Sequence, residues 1–159
     1  MEWQAGIIER AANTLAYWIE TTPEDKLGWC PTADASSKTR CIKEQMQECI
    51  GLNRGVAAKL RGDGAAPSGD QPKAEDQSLL VREIASSGQE LADAVRNTKP
   101  EDLGKEHDLG FGPFPAAFLI EIATGNMFYH GGQLNFIQTL YGDTEFRFPG
   151  PDYNPLKDA

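Results

Sequence analysis

The sequence predicts an all-α protein, a four-helix bundle with long connecting loops. Three observations carry that reading. Apolar residues recur at three- and four-residue steps in four separate stretches, the spacing that gathers them on one side of a helix. Pro- and Gly-rich breaks separate the stretches. The chain has 159 residues, enough to bury one core without disulfides or a structural metal. Amphipathic helices must cover their apolar faces, and four of them do so as a bundle. The loops are long enough to allow crossovers.

The first helix is expected from about Glu2 to Thr21, with Ile7, Ile8, Ala11, Leu15, Trp18 and Ile19 as its apolar stripe and Pro23 ending it. The stretch from Pro23 to Ser36 reads as an ordered loop whose Trp29 plugs one end of the core. Ser37 is a candidate cap for the second helix. Ile42, Met46, Cys49, Asn53, Val56 and Leu60 follow a 4-3-4-3-4 rhythm along it. Gly51 and Gly55 cost helix propensity there and suggest a close approach by another helix. Gly62-Asp63-Gly64 stops the helix, and 65–73 is a connection. The third helix is expected from about Glu75 to Asn97. Leu79, Leu80, Ile84, Leu91 and Val95 form its apolar face, and Ala85-Ser86-Ser87-Gly88 leaves room for a neighbour or a cavity.

The loop from Lys99 to Phe114 is long enough to cover a site and can hold a short extended piece. Pro113-Phe114-Pro115 opens the fourth helix, with Pro115 in its first turn. Phe118, Ile122, Gly125, Tyr129, Gly132 and Phe136 make one seam, and Asn126, His130, Gln133 and Ile137 lie beside it. Gly142-Asp143 ends the helix. The bundle thus spans 1–143. The tail 144–159 is rich in proline and aromatics, and is expected to pack on the bundle or on a dimer partner.

The formal net charge is −9. Nucleic-acid binding needs a basic stripe, and Lys38, Arg40 and Lys43 are followed at once by Glu44 and Glu48, so no nucleic-acid partner is expected. The same sign disfavours an anionic membrane surface. No apolar run approaches the ~20 residues that span a bilayer. The N-terminus lacks the pattern of a signal peptide. Cys30, Cys41 and Cys49 are odd in number and show no C-x-x-C spacing, which fits reduced thiols and a cytoplasmic location.

The richest segment is Gly125-Asn126-Met127-Phe128-Tyr129-His130-Gly131-Gly132-Gln133-Leu134. Asn126 and His130 are one helical turn apart and share a face. A histidine with a polar partner among apolar residues is how a bundle builds a metal or polar site, although a lone core histidine that merely satisfies its hydrogen bonds has the same signature. His130-Gly131-Gly132-Gln133-Leu134, followed by Leu140-Tyr141-Gly142-Asp143, resembles the DinB-like superfamily (DinB/YfiT-like metalloenzymes), whose last helix reads H-x-x-x-H-R-G-Q-L. The second motif histidine falls on His130, and Gly-Gln-Leu falls on Gly132, Gln133 and Leu134. Trp29 and Pro31 look like the W-x-P that precedes the family's second helix. Gln47 to Asn53 looks like the stretch that carries its first histidine ligand.

The resemblance implies a metal site of Glu48, Asn126 and His130 between helices two and four, with Cys49, Asn53, Tyr129 and Gln133 around it. Two of the family's three histidine positions are substituted: Asn126 stands at one, and Glu48 (or Cys49, if the register shifts by one) at the other. Three imidazoles suit Zn, Ni or Fe, whereas carboxylate, carboxamide and one imidazole make a harder, oxygen-rich set. A divalent ion (Zn, Ni, Mn or Fe) is therefore expected to bind weakly or not at all. A metal-free network is the other reading of these residues, with Glu48 raising the His130 pKa and Asn126 fixing its ring. By resemblance, the function is that of a metal-dependent enzyme, thiol-transferase or hydrolase-like. The alternative is a non-catalytic dimeric module that binds a small molecule or a protein and whose metal site has decayed. A homodimer is expected in either case. Cys49 reads as a packed, inert thiol rather than a nucleophile, and His107 as solvated.

Overall fold

The computed structural model describes residues 1–32, 39–63 and 76–157. Four helices account for most of them: α1 (Glu2–Glu20), α2 (Ile42–Arg61), α3 (Gln77–Asn97) and α4 (Ala116–Leu140). Among the described residues no helix is long and apolar enough to cross a membrane. The packing order around the bundle is α1, α3, α2, α4. Helices α1 and α2 therefore face each other across a diagonal, as do α3 and α4, and the long loops make the crossovers that their length allows.

The sequence explains the helix ends. α2 starts at Ile42, later than expected: Cys41 is its N-cap, and Glu44 Oε2 accepts a hydrogen bond from Cys41 N–H at 3.0 Å. Ser37, the expected cap, and the 65–73 connection lie outside the described residues. Gly62 ends α2 in the left-handed region, at φ 78°. Asp76 caps α3 by accepting from Leu79 N–H at 2.6 Å. Pro113–Pro115 is not the first turn of α4. It forms β2, antiparallel to β1 (Glu106–Asp108), and α4 begins one residue later. Pro115 lacks an N–H and sits at the cap. The Asp108 carboxylate accepts from Gly110 and Gly112 N–H at 2.7 and 3.0 Å and closes the hairpin turn.

The core runs the length of the bundle and includes Ile8, Leu15, Ile19, Ile42, Met46, Leu80, Ile84, Leu91, Leu119, Met127 and Leu134. α1 and α3 approach closely where Gly88 lies directly on Ala12. The expected close approach at Gly51 does not occur. Gly51 faces open space, and Gly55 meets Leu109 of the hairpin connection rather than a helix. Trp29 packs against the core edge, with its ring edge-on to Tyr141.

The face of α4 is also corrected. The seam read from the sequence, Phe118 to Phe136, is largely its outer side, with Tyr129 and Phe136 each 64% exposed. The buried side is Leu119, Ile120, Ala123, Met127, His130, Leu134 and Ile137. The described part of the tail, 144–157, returns along α1. Trp18 Nε1 donates to Arg147 O at 2.9 Å, and Tyr153 stacks edge-on against Tyr17 and donates to Glu20 at 2.7 Å.

Candidate functional site

His130 lies on the inner side of α4 and is 4% exposed. The facing turn of α2 supplies Gln45, Glu48 and Cys49. The ring's two nitrogens have different surroundings. Nδ1 lies 2.7 Å from Gln133 Oε1 and 3.2 Å from Gln45 Oε1. Gln45 Nε2 donates to Arg40 O at 3.0 Å, which turns its carbonyl oxygen toward the ring. A proton on Nδ1 would satisfy both of these acceptors and would leave the lone pair on Nε2.

Nε2 faces Glu48 Oε1 at 3.4 Å. The other Glu48 oxygen pairs with Arg40. Asn126 Nδ2 donates to Glu48 Oε1 at 3.4 Å, while its carbonyl accepts from Cys49 Sγ at 3.1 Å. Glu48, Asn126 and His130 thus share one cluster, and Cys49 abuts it. Burial pushes the His130 pKa below its ordinary value. The Gln133 contact opposes this, and the Arg40 charge pushes it further down. The expected rise from Glu48 is therefore not what the surroundings favour. The ring is fixed by Gln133 and Gln45, not by Asn126.

The cluster opens into a cavity of about 450 Å³ between α2 and α4. Arg40, Gln45, Glu48, His130 and Gln133 give it a polar end, and Tyr129, Phe136, Ile137 and Leu140 form apolar walls. Asn53 is placed elsewhere. It is fully buried between α2, α3 and α4, donates to Ser87 Oγ at 3.3 Å and contacts Met127 Sδ at 3.4 Å, away from the cavity lining. Cys49 is fully buried, and burial pushes its thiol up to about 12, so it stays protonated and unreactive.

Sequence reasoning missed Gln45 and Arg40. The available signal for Gln45 was a polar residue beside the apolar seam, three positions before Glu48. It also missed a second group, Cys30, Cys41 and Glu44, whose donor atoms lie within 4.8 Å of one another. This is a set of side chains that could hold a metal ion.

The fold that carries this site is that of the DinB-like helical bundles. Among solved structures, the chain is similar to YjoA, a DinB-like protein from Bacillus subtilis. The identity is 16% and the TM-score 0.64, over 93% of this chain and 96% of that one, a likeness of fold. No family model matches the sequence, and no curated protein matches it.

Proposed function

We propose that the cavity between α2 and α4 is the site of a metal-dependent enzyme acting on a small molecule, thiol-transferase or hydrolase-like, with His130 and Glu48 as the main ligands and Asn126 as a weak one. The observation that carries this reading is that His130 Nε2 and Glu48 Oε1, an imidazole nitrogen and a carboxylate oxygen from two helices, face each other at 3.4 Å. Ligand bonds of about 2.0–2.2 Å at a tetrahedral angle set neighbouring donor atoms about 3.4 Å apart. A divalent cation is thus a fitting partner for this pair. The neutral imidazole favoured by burial is also the form that binds metal.

When bound, the cation would lower the pKa of a thiol or water and so supply a nucleophile. The chain's own residues do the rest. Gln45 and Gln133 hold the His130 tautomer. Arg40 offsets part of the Glu48 charge and leaves Oε1 directed at the ring. Tyr129, Phe136, Ile137 and Leu140 offer an apolar wall to the body of a small electrophilic substrate.

The test is metal content per chain by elemental mass spectrometry, on untagged protein purified without chelator and incubated with Zn, Ni, Mn or Fe. The expected result is a cavity-bound equivalent that is lost in His130→Ala and kept in Cys41→Ser, counted apart from any ion bound elsewhere on the chain. Metal content unchanged by His130→Ala would remove this assignment.

The outer side of α4 favours a second reading, a homodimer. The helix is apolar nearly all round, yet Phe118, Phe128, Tyr129, Phe136 and Leu140 remain exposed on it. Helices of that composition are normally covered. In sedimentation, the wild type would run as a dimer and Phe128→Glu as a monomer; a monomeric wild type ends this reading.

A further inference from the structure

We propose that Cys30, Cys41 and Glu44 form a second metal site, a thiolate site for a zinc-class cation at the N-terminus of α2. It is distinct from the His130 cavity and does not depend on the function proposed for that cavity.

Backbone geometry assembles it. The 3₁₀ turn Glu24–Lys26 leads into Leu27, whose carbonyl accepts from Lys43 N–H in the first turn of α2 at 3.0 Å. Trp29 N–H donates to Lys26 O at 3.1 Å. These two bonds bring Cys30 to the start of α2, where Cys41 is the cap and Glu44 the third residue of the helix. The three donor atoms then lie within 4.8 Å of one another, although Cys30 and Cys41 are eleven positions apart in the chain. Cys41 is buried and Cys30 half-buried, while Glu44 reaches solvent. The site therefore has an open side for an ion to enter and for water to complete its coordination.

The chemistry of the donors selects the ion. Two thiols and one carboxylate favour zinc over magnesium or calcium, which take oxygen ligands alone. Binding converts each S–H to a metal–sulfur bond and releases its proton to solvent, two protons per ion. Two thiolates, one carboxylate and a divalent ion sum to a single negative charge. The free amides of a helix N-terminus stabilise that sign. Glu44 Oε2 is held by Cys41 N–H, so the carboxylate is oriented before the ion arrives. Pro31, Thr39 and Arg40 lie next to these ligands in the chain and line the His130 cavity. An ion here would fasten both flanks of that wall.

The test uses fully reduced, full-length protein titrated anaerobically with cobalt(II). The expected result is a thiolate-to-cobalt charge-transfer band in the near ultraviolet that saturates at one equivalent and is abolished by zinc. Cys41→Ser should lose the band. Serine is a favoured helix cap, so that variant keeps its fold, which circular dichroism checks. Glu44→Gln keeps the cap hydrogen bond and should weaken affinity at least ~10-fold. His130→Ala should leave the band intact, which separates this site from the cavity. The proposal is overturned if reduced protein gives no band, or if the band survives Cys41→Ser or disappears in His130→Ala.

Discussion

Gly88 offers the sharpest test of the packing. A Cβ built there lies within the radius of Ala12 Cβ, with Ala12 Cα at 3.6 Å and Ile8 O at 3.8 Å. None of these is the end of a flexible side chain, so none can swing aside. Carbon atoms settle at about 3.5–4.0 Å, so Gly88→Ala forces α1 and α3 apart by roughly 1.5 Å at their point of closest approach. Overpacking of this kind costs ~1–3 kcal/mol and sometimes more, while replacing a helical glycine by alanine returns ~1 kcal/mol. Because the obstructing Ala12 methyl is fixed directly on the α1 backbone and cannot rotate away, the upper part of the range applies, and a net loss of about 1–2 kcal/mol is expected. For a chain of this size that lowers Tm by roughly 2–8 °C. Urea unfolding monitored by circular dichroism measures it. Ala12→Gly in the same chain removes the obstructing methyl, so the double variant should be more stable than the sum of the two single losses predicts. A Gly88→Ala protein as stable as the wild type, or more so, would refute the close-contact argument.

Two further predictions concern titratable groups. Cys49 should resist a thiol reagent at neutral pH in native protein and react only on unfolding, while Cys30 reacts first; mass mapping of the labelled sites reads this directly. The Arg96 hydrogen bond holds the Glu9 carboxyl below its ordinary value, against an opposing effect of burial, with Gln89 adding in the same direction as Arg96. A depressed folded-state pKa contributes stability above the unfolded value and loses it as pH falls through the folded one. The stability gap between wild type and Glu9→Gln should therefore shrink between about pH 5 and pH 3. A gap that widens in acid would contradict the assignment.

The four helices were legible because three- and four-residue spacing survives whatever the helices pack against. The inner side of α4 was not. Phe118, Tyr129 and Phe136 are as apolar as Leu119, Met127 and Leu134, so periodicity finds two candidate faces and cannot rank them. The start of α2 was misplaced because a cysteine cap is an uncommon signal next to a serine four residues earlier. The cluster of Glu48, Asn126 and His130 could be proposed from a motif and its spacing. The state of the imidazole could not, because it depends on Gln45 and Arg40, which reach it from another helix and its leading segment. The group Cys30, Cys41 and Glu44 escaped because its spacing matches no compact metal-binding pattern, and hydrogen bonds such as Leu27–Lys43, made only in the fold, close the distance.

The diagonal placement of sequence neighbours has a kinetic consequence. In an up-and-down bundle each helix can zip against the one just made. Here only α2 and α3 are both consecutive and adjacent. α1 pairs with α3 and α4, and α4 pairs with α1 and α2, all across long stretches of chain. Such non-local closure raises contact order and slows folding relative to simple bundles of equal length. His130 and Glu48 come from two helices joined by such a non-local contact, so the site exists only once that closure has been made.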